Sequence, residues 1–274
     1  MASQPSTLRP AVVVIGDGRP VEFSEALADL ERRSMLHRLD VLPHERELAA
    51  AVGRMEATPN VVVLLQQRPG EWTAARVEQV HARWPLARLV MLLGSWCEGE
   101  PRTGRPPPGV ARVYWHQWAP QSGRYWDQQG QGPHPWNLPR SHSPLDVFLE
   151  TSTVKQGGGE LIAIEAADES SFDSLAETLA RAGYCTARWR SQRPGDVRGA
   201  SVLIWDDPGR SRHDLLRLRE CCESAGGTPV IAMSGMLRWD DWQAARRWGV
   251  AHLLAKPFDL EDLLWCVRIP VRNR

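Results

Sequence analysis

The sequence predicts an α/β protein in which two doubly wound, parallel-sheet modules follow one another along the chain. Three observations carry this expectation. Short β-branched and aliphatic runs recur along all 274 residues, apolar on consecutive positions, as strands buried on both faces require. Segments of helical periodicity separate them, which is the alternation of a parallel sheet with crossover helices. A constant shift of 140 residues then lays Val62-Val63-Leu64-Leu65 on Val202-Leu203-Ile204-Trp205, Val90-Met91 on Val230-Ile231, and Gly109-Val110-Ala111 on Gly249-Val250-Ala251. One offset shared by three strands points to a duplicated unit.

The first module covers about residues 10–118, with strands at Ala11–Ile15, Val61–Leu65, Leu89–Leu93 and Ala111–Trp115. Residues 94–108 carry Gly94, Gly99, Gly104 and Pro106-Pro107-Pro108, a composition that excludes a regular helix and predicts a rebuilt loop. Residues 119–158 hold Gly123, Gly130 and Gly132, run into Gly157-Gly158-Gly159 at their end, and read as a linker or a long irregular arm. The second module, 160–270, has strands at Leu161–Ile164, Ser201–Trp205, Pro229–Met233 and Ala251–Leu254. Ser170 to Asp173 has capping-box spacing and opens a helix with Phe172, Leu175 and Leu179 inward, ended by Gly183. Leu215, Leu218 and Cys222 make a second stripe, and Trp239, Trp242, Ala245 and Trp248 a third. The last helix starts near Asp259 with Leu260, Leu263, Leu264 and Val267 on one face, and Asp259, Glu261 and Asp262 complement its dipole.

Composition narrows the function classes. The 33 basic residues balance 33 acidic ones, and each half is neutral to within two charges. That removes the basic footprint expected of a nucleic-acid or anionic-membrane partner. No apolar run is long enough to span a bilayer, and Met1 to Pro10 lacks a secretory pattern, so a cytoplasmic location is expected. Five cysteines at irregular spacing make no disulfide framework. Of the 33 basic residues 31 are Arg, and the two lysines are Lys155 and Lys256.

Lys256 lies in Ala255-Lys256-Pro257-Phe258, preceded by Trp248-Gly249-Val250-Ala251 and followed by Asp259-Leu260-Glu261-Asp262-Leu263-Leu264. With Pro229-Val230-Ile231-Ala232-Met233-Ser234 upstream, this stretch resembles the end of a CheY-like receiver domain, the phosphoacceptor module of bacterial response regulators. The resemblance covers about residues 160–268, and residues 10–118 resemble the family more distantly, through strand spacing and the shared offset. It implies two tandem flavodoxin-like (CheY-like) modules and the strand-edge chemistry of the family. There an Asp after strand three takes a phosphoryl group, acids near strand one hold Mg²⁺, and a Lys and a Ser or Thr bind phosphoryl oxygens. On this sequence those places fall to Asp206, to Glu165 and Asp168 together with Asp206 as metal ligands, and to Lys256 and Ser234. A one-residue change of register would put Trp205 in place of Asp206. Asp206-Asp207-Pro208-Gly209 also shortens the usual spacing to Pro-Gly, and strand one offers only Glu165 of the usual acidic pair. In the first module the offset sets Gln66 against Asp206 and His116 against Lys256, which excludes phosphoacceptor chemistry there.

The leading expectation is an atypical, pseudo-response-regulator protein in bacterial signal transduction, acting by protein–protein contact and not as an enzyme. Its partners would be a histidine kinase or a downstream protein, and no DNA-binding domain is evident. The alternative in the same pathway is a phosphorelay receiver phosphorylated at Asp206 with Mg²⁺. A different class, a small-ligand binder or enzyme, would use the cleft near His116 and the 94–108 loop. Trp96, Arg102, Arg105, His116 and Trp118 form the expected partner surface, since Trp and Arg dominate binding hot spots. Against that stands the expectation that the tryptophans tuck the arm onto its own module. Cys97, His116, His134 and His142 match no zinc spacing, and Gly16-Asp17-Gly18 lacks the full nucleotide fingerprint.

Overall fold

The structure, a computed structural model, describes residues 9–40, 45–98, 100, 107–128, 134–142, 144–151, 157–191, 199–206, 212–235 and 238–268. The chain divides into two compact units, Met1–Thr151 and Ser152–Arg274. Unit 1 contains β1 (Ala11–Ile15), α1 (Ser24–Arg33), β2 (Met35–Leu39), α2 (Glu45–Gly53), β3 (Val61–Gln66), α3 (Ala74–Arg83), β4 (Arg88–Leu93), β5 (Ala111–Tyr114), α4 (Trp118–Asp127) and α5 (Pro144–Thr151). Single 3-10 turns lie at Val21–Phe23, Ser95–Cys97, Trp115–Gln117 and Pro135–Asn137. Unit 2 contains β6 (Leu161–Glu165), α6 (Glu169–Arg181), β7 (Cys185–Arg188), β8 (Ala200–Asp206), α7 (Arg212–Ser224), β9 (Val230–Ser234), α8 (Trp239–Arg247), β10 (Val250–Ala255) and α9 (Leu260–Arg268).

Among the described residues each unit holds one five-stranded sheet, ordered β2-β1-β3-β4-β5 and β7-β6-β8-β9-β10, with every pair parallel. Both are the 2-1-3-4-5 order of the flavodoxin-like doubly wound fold, so the predicted fold class holds. The duplication also holds in register. Gln66 pairs with Leu93 as Asp206 pairs with Met233, and Leu93 pairs with Tyr114 as Met233 pairs with Leu254. Each correspondence is a shift of 140. On the other flank Ile15 pairs with Leu64 as Ile164 pairs with Ile204, which makes Gly16 the counterpart of Glu165.

Burial explains why the central strands are legible. All six residues of β3 and all six of β10 are buried. Val62, Leu64, Met91 and Leu93 meet Val77, Val80, Trp72 and Trp84 in one core cluster of unit 1. In unit 2, Ile162, Ile164, Val202, Ile204 and Ile231 pack with Leu179, Leu263 and Val267. Each such side chain contributes about 1.5–3 kcal/mol by leaving water.

The edge strands β2 and β7 depart from the sequence expectation, which gave each module four strands. Met-Leu-His-Arg-Leu and Cys-Thr-Ala-Arg alternate between exposed and half-buried positions, so neither shows a continuous apolar run. The arm is a second departure. Trp118–Asp127 is a regular helix, and Pro120 fits because it lies in the first turn, where no helical N–H partner is lost. Gly123 is buried within it. A third concerns α6, which Asp168 caps in place of the expected Ser170. In α7 it is Cys221 that is fully buried, while Cys222 is half-buried.

Carboxyl edges of the two sheets as the candidate functional site

Parallel strands end together, so the residues that follow β6, β8, β9 and β10 meet at one edge of the sheet in unit 2, where open α/β folds bind ligands. Asp206 is the last residue of β8 and 5% exposed. Lys256 follows β10, and its backbone N–H donates to the Ser234 carbonyl at 2.8 Å. The Lys256 ammonium forms an ion pair with the Asp206 carboxylate. Trp205 instead pairs in register with Glu165, one position earlier on the buried strand. The structure therefore brings Asp206, Lys256 and Ser234 to one edge. Asp207, Pro208 and Gly209 lie outside the described residues.

The acids expected to share Mg²⁺ are engaged elsewhere. Glu165 is buried, and its Oε1 accepts from the Ser191 hydroxyl at 2.8 Å and the Ser191 N–H at 3.3 Å. Asp168 Oδ1 accepts from the Ser171 N–H at 2.8 Å, the N-cap bond of α6. Among the described residues no group of three His, Cys, Asp or Glu side chains is arranged to hold a metal ion. Asp168 thus serves the helix terminus, while Glu165 holds Ser191 and Asp206 pairs with Lys256. Asp168→Ala is expected to lower stability by about 1 kcal/mol, the usual cost of a lost N-cap, measured by urea unfolding; an unchanged midpoint would contradict the capping role. Beneath this edge, burial and the neighbouring Glu165 charge push the Cys221 thiol well above its ordinary range, so it stays a thiol.

Unit 1 has the same edge with different chemistry. Register sets Gly16, Gln66, Gly94 and His116 where unit 2 has Glu165, Asp206, Ser234 and Lys256. Gln66 is completely buried, and its amide NH₂ donates to Glu100 Oε1 and Oε2 at 3.2 and 3.1 Å. Its carbonyl accepts from the Trp72 N–H at 3.4 Å, and Trp72 Nε1–H donates to the Leu65 carbonyl at 2.9 Å. Glu100, itself 4% exposed, is ion-paired with Arg112. Cys97, fully buried beside Gln66, has its thiol pushed up to about 11, chiefly by burial. Gln66, Glu100, Arg112 and the Trp72 N–H thus engage one another at the place where unit 2 has Asp206.

Gly16 has φ +128°, and a Cβ there would stand 2.8 Å from the Leu65 carbonyl oxygen. A Cβ at Gly94 would collide with Glu22 Oε1. Glu22 fills that place and accepts from the Ser95 N–H at 3.2 Å and from the Ser95 hydroxyl. His116 is 6% exposed, and desolvation lowers its pKa to about 4, so its ring is neutral.

The expected partner surface needs correction. His116 and Trp118 are buried. Trp118 Nε1–H donates to Asp29 Oδ2 at 3.2 Å, alongside the Ser122 hydroxyl at 3.1 Å, which docks α4 on α1. Trp96 alone of the named residues is described as exposed, at 70%. Arg102 and Arg105 lie outside the described residues. The arm tucks back instead: Trp118, Tyr125, His134 and Trp136 form a buried aromatic cluster with ring centroids 4.9–5.5 Å apart. His134 pins it, its Nδ1 accepting from the Trp136 N–H at 3.2 Å while Nε2 faces the Gln121 carbonyl at 3.1 Å. Sequence reasoning did not reach Gln66, Glu100, Arg112 or His134 as parts of these arrangements. Of the other motifs, Asp17 is ion-paired with Arg19, and His142 Nε2 lies 2.9 Å from Glu150 Oε1, both near the surface.

No family model and no curated protein matches this sequence. Among solved structures, the chemotaxis protein CheY4 of Vibrio cholerae is similar at 18% identity and a TM-score of 0.35, covering 41% of this chain and 98% of that one. A CheY-like response regulator of Mesorhizobium loti is similar at 24% identity and a TM-score of 0.34, covering 40% and 97%. The CheY-like protein TadZ of Pseudomonas aeruginosa is similar at 18% identity and a TM-score of 0.34, covering 40% and 98%. Each likeness spans about two-fifths of the chain.

Proposed function

We propose that this chain is an atypical receiver-type protein of bacterial signal transduction that works through contacts with signalling proteins and not through phosphoryl transfer. The observation that carries this reading is the dispersal of the expected metal ligands: Asp168 caps α6 and Glu165 holds Ser191, while Asp206 is paired with Lys256. The closed Gln66–Glu100–Arg112 network supports it, since unit 1 keeps the fold with none of the family's reactive groups. A protein that retains the scaffold and closes the chemistry is suited to presenting surfaces. Among the described residues its five cysteines form no disulfide, in keeping with a cytoplasmic setting. No described helix is long and apolar enough to cross a membrane.

Trp205 adjoins Asp206, so a phosphoryl analogue bound at that carboxylate would alter its emission. Titration with Mg²⁺ and beryllium fluoride is expected to leave tryptophan fluorescence unchanged. A saturable change abolished by Asp206→Asn would overturn this reading in favour of a phosphorylated receiver.

A further inference from the structure

At the carboxyl edge of unit 1 two carboxylates have no cationic partner among the described residues. Glu22, in the turn Val21–Phe23, sits over Gly94 and is held by the Ser95 N–H and hydroxyl. Glu98 closes the Ser95–Cys97 turn, and its carboxyl is raised by burial and by the Glu22 charge. A like charge is the electrostatic neighbour that Glu98 feels, and no described Arg or Lys forms an ion pair with either acid. The third group is His116, the register counterpart of Lys256. Its side chain is 7% exposed with Nε2 3.7 Å from Glu98 Oε1, and its Nδ1 has no hydrogen-bond partner. Being neutral, the ring supplies no charge where unit 2 has an ammonium. Val21 precedes Glu22 and Trp96 follows Ser95 in the chain, and both apolar side chains are exposed, at 53% and 70%.

We infer that this edge receives an arginine or lysine side chain from a segment of a partner protein, seated between Glu22 and Glu98 with the Trp96 ring as its platform. Two carboxylates and an indole are complementary to a cation with an apolar stem: the acids make charge-assisted hydrogen bonds, the ring attracts the cation, and the stem covers Val21 and Trp96. An exposed Trp flanked by charge is also the residue type around which interfaces concentrate their affinity. A metal ion is the poorer occupant, because no described trio of ligands is arranged for one. Unit 2 meets its buried acid with its own lysine, whereas unit 1 would take the cation in trans. The inference concerns unit 1 alone and stands or falls independently of any chemistry at Asp206.

The test uses the full chain labelled with ¹⁵N and two blocked pentapeptides, Gly-Arg-Gly-Arg-Gly and its Gln-for-Arg counterpart. The Arg peptide is expected to shift the Trp96 indole resonance and the Ser95 and Glu98 amides saturably, and added salt should weaken the binding. Glu98→Gln, which removes no hydrogen bond of the fold, should weaken it at least tenfold, as should Trp96→Ala read on the amides. Equal shifts with the Gln peptide would overturn the inference, as would Glu98→Gln binding unchanged. So would spermidine competing fully while Trp96→Ala binds normally, since that describes a non-specific polycation effect.

Discussion

At pH 5 unit 1 is expected to be about 4 kcal/mol less stable than at pH 7.5, about 2 kcal/mol from each of two buried histidines. His116 and His134 are 6% and 0% exposed, and burial lowers their pKa values to about 4 and about 3. The folded state therefore keeps both rings neutral, whereas the unfolded chain takes up protons near pH 6.5. Their contribution is complete above that value and is lost progressively as pH falls toward 4 and then 3. His134 has a second reason to resist protonation, because its Nδ1 already accepts the Trp136 N–H and a proton there would leave two donors face to face. Hydrogen exchange on peptides covering Val61–Gln66 and Arg88–Leu93 measures the effect within unit 1. Protection that is equal at pH 7.5 and 5, after correction for intrinsic exchange, would contradict it.

Gln66→Asp, which restores an acid at the counterpart of Asp206, is expected to destabilise unit 1 by about 3–5 kcal/mol and to create no phosphoacceptor. Gln66 is fully buried and donates to both oxygens of Glu100. An aspartate there loses those donated bonds and sets one buried carboxylate against another, with Arg112 already committed to Glu100. Its counterpart Asp206 is tolerated at an equally buried place because Lys256 reaches it. Unfolding in urea followed by the emission of Trp72 and Trp84 gives the change, and a loss below 1 kcal/mol would mean that the network is not what holds this edge.

The contrast between these two edges also shows what a sequence makes legible. The central strands are readable because both their faces are buried, and the shift of 140 survives because β3, β4 and β5 keep their register in β8, β9 and β10. The edge strands β2 and β7 carry His37 and Arg38 on exposed positions and Thr186 and Arg188 on half-buried ones, and no apolar run marks them. Glycine and proline hide α4, although Pro120 sits where a helix accepts it and Trp118 and Tyr125 face the interior. At the candidate site the strand-end positions of Asp206, Ser234 and Lys256 are legible from the sequence. The capping role of Asp168 is not legible, because an acid three residues past a strand can serve as ligand or cap, and the cap follows from where α6 begins. Gln66 and His116 reveal their roles only through burial and partners, which no periodicity reports.

The most direct measurement of the central claim is intact-mass analysis of the full chain after incubation with Mg²⁺ and acetyl phosphate. The expected spectrum shows the unmodified mass alone, for the native chain and for Asp206→Asn alike. A phosphoryl increment on the native chain that disappears in Asp206→Asn would show that the second edge is a working phosphoacceptor and would contradict signalling by contact alone.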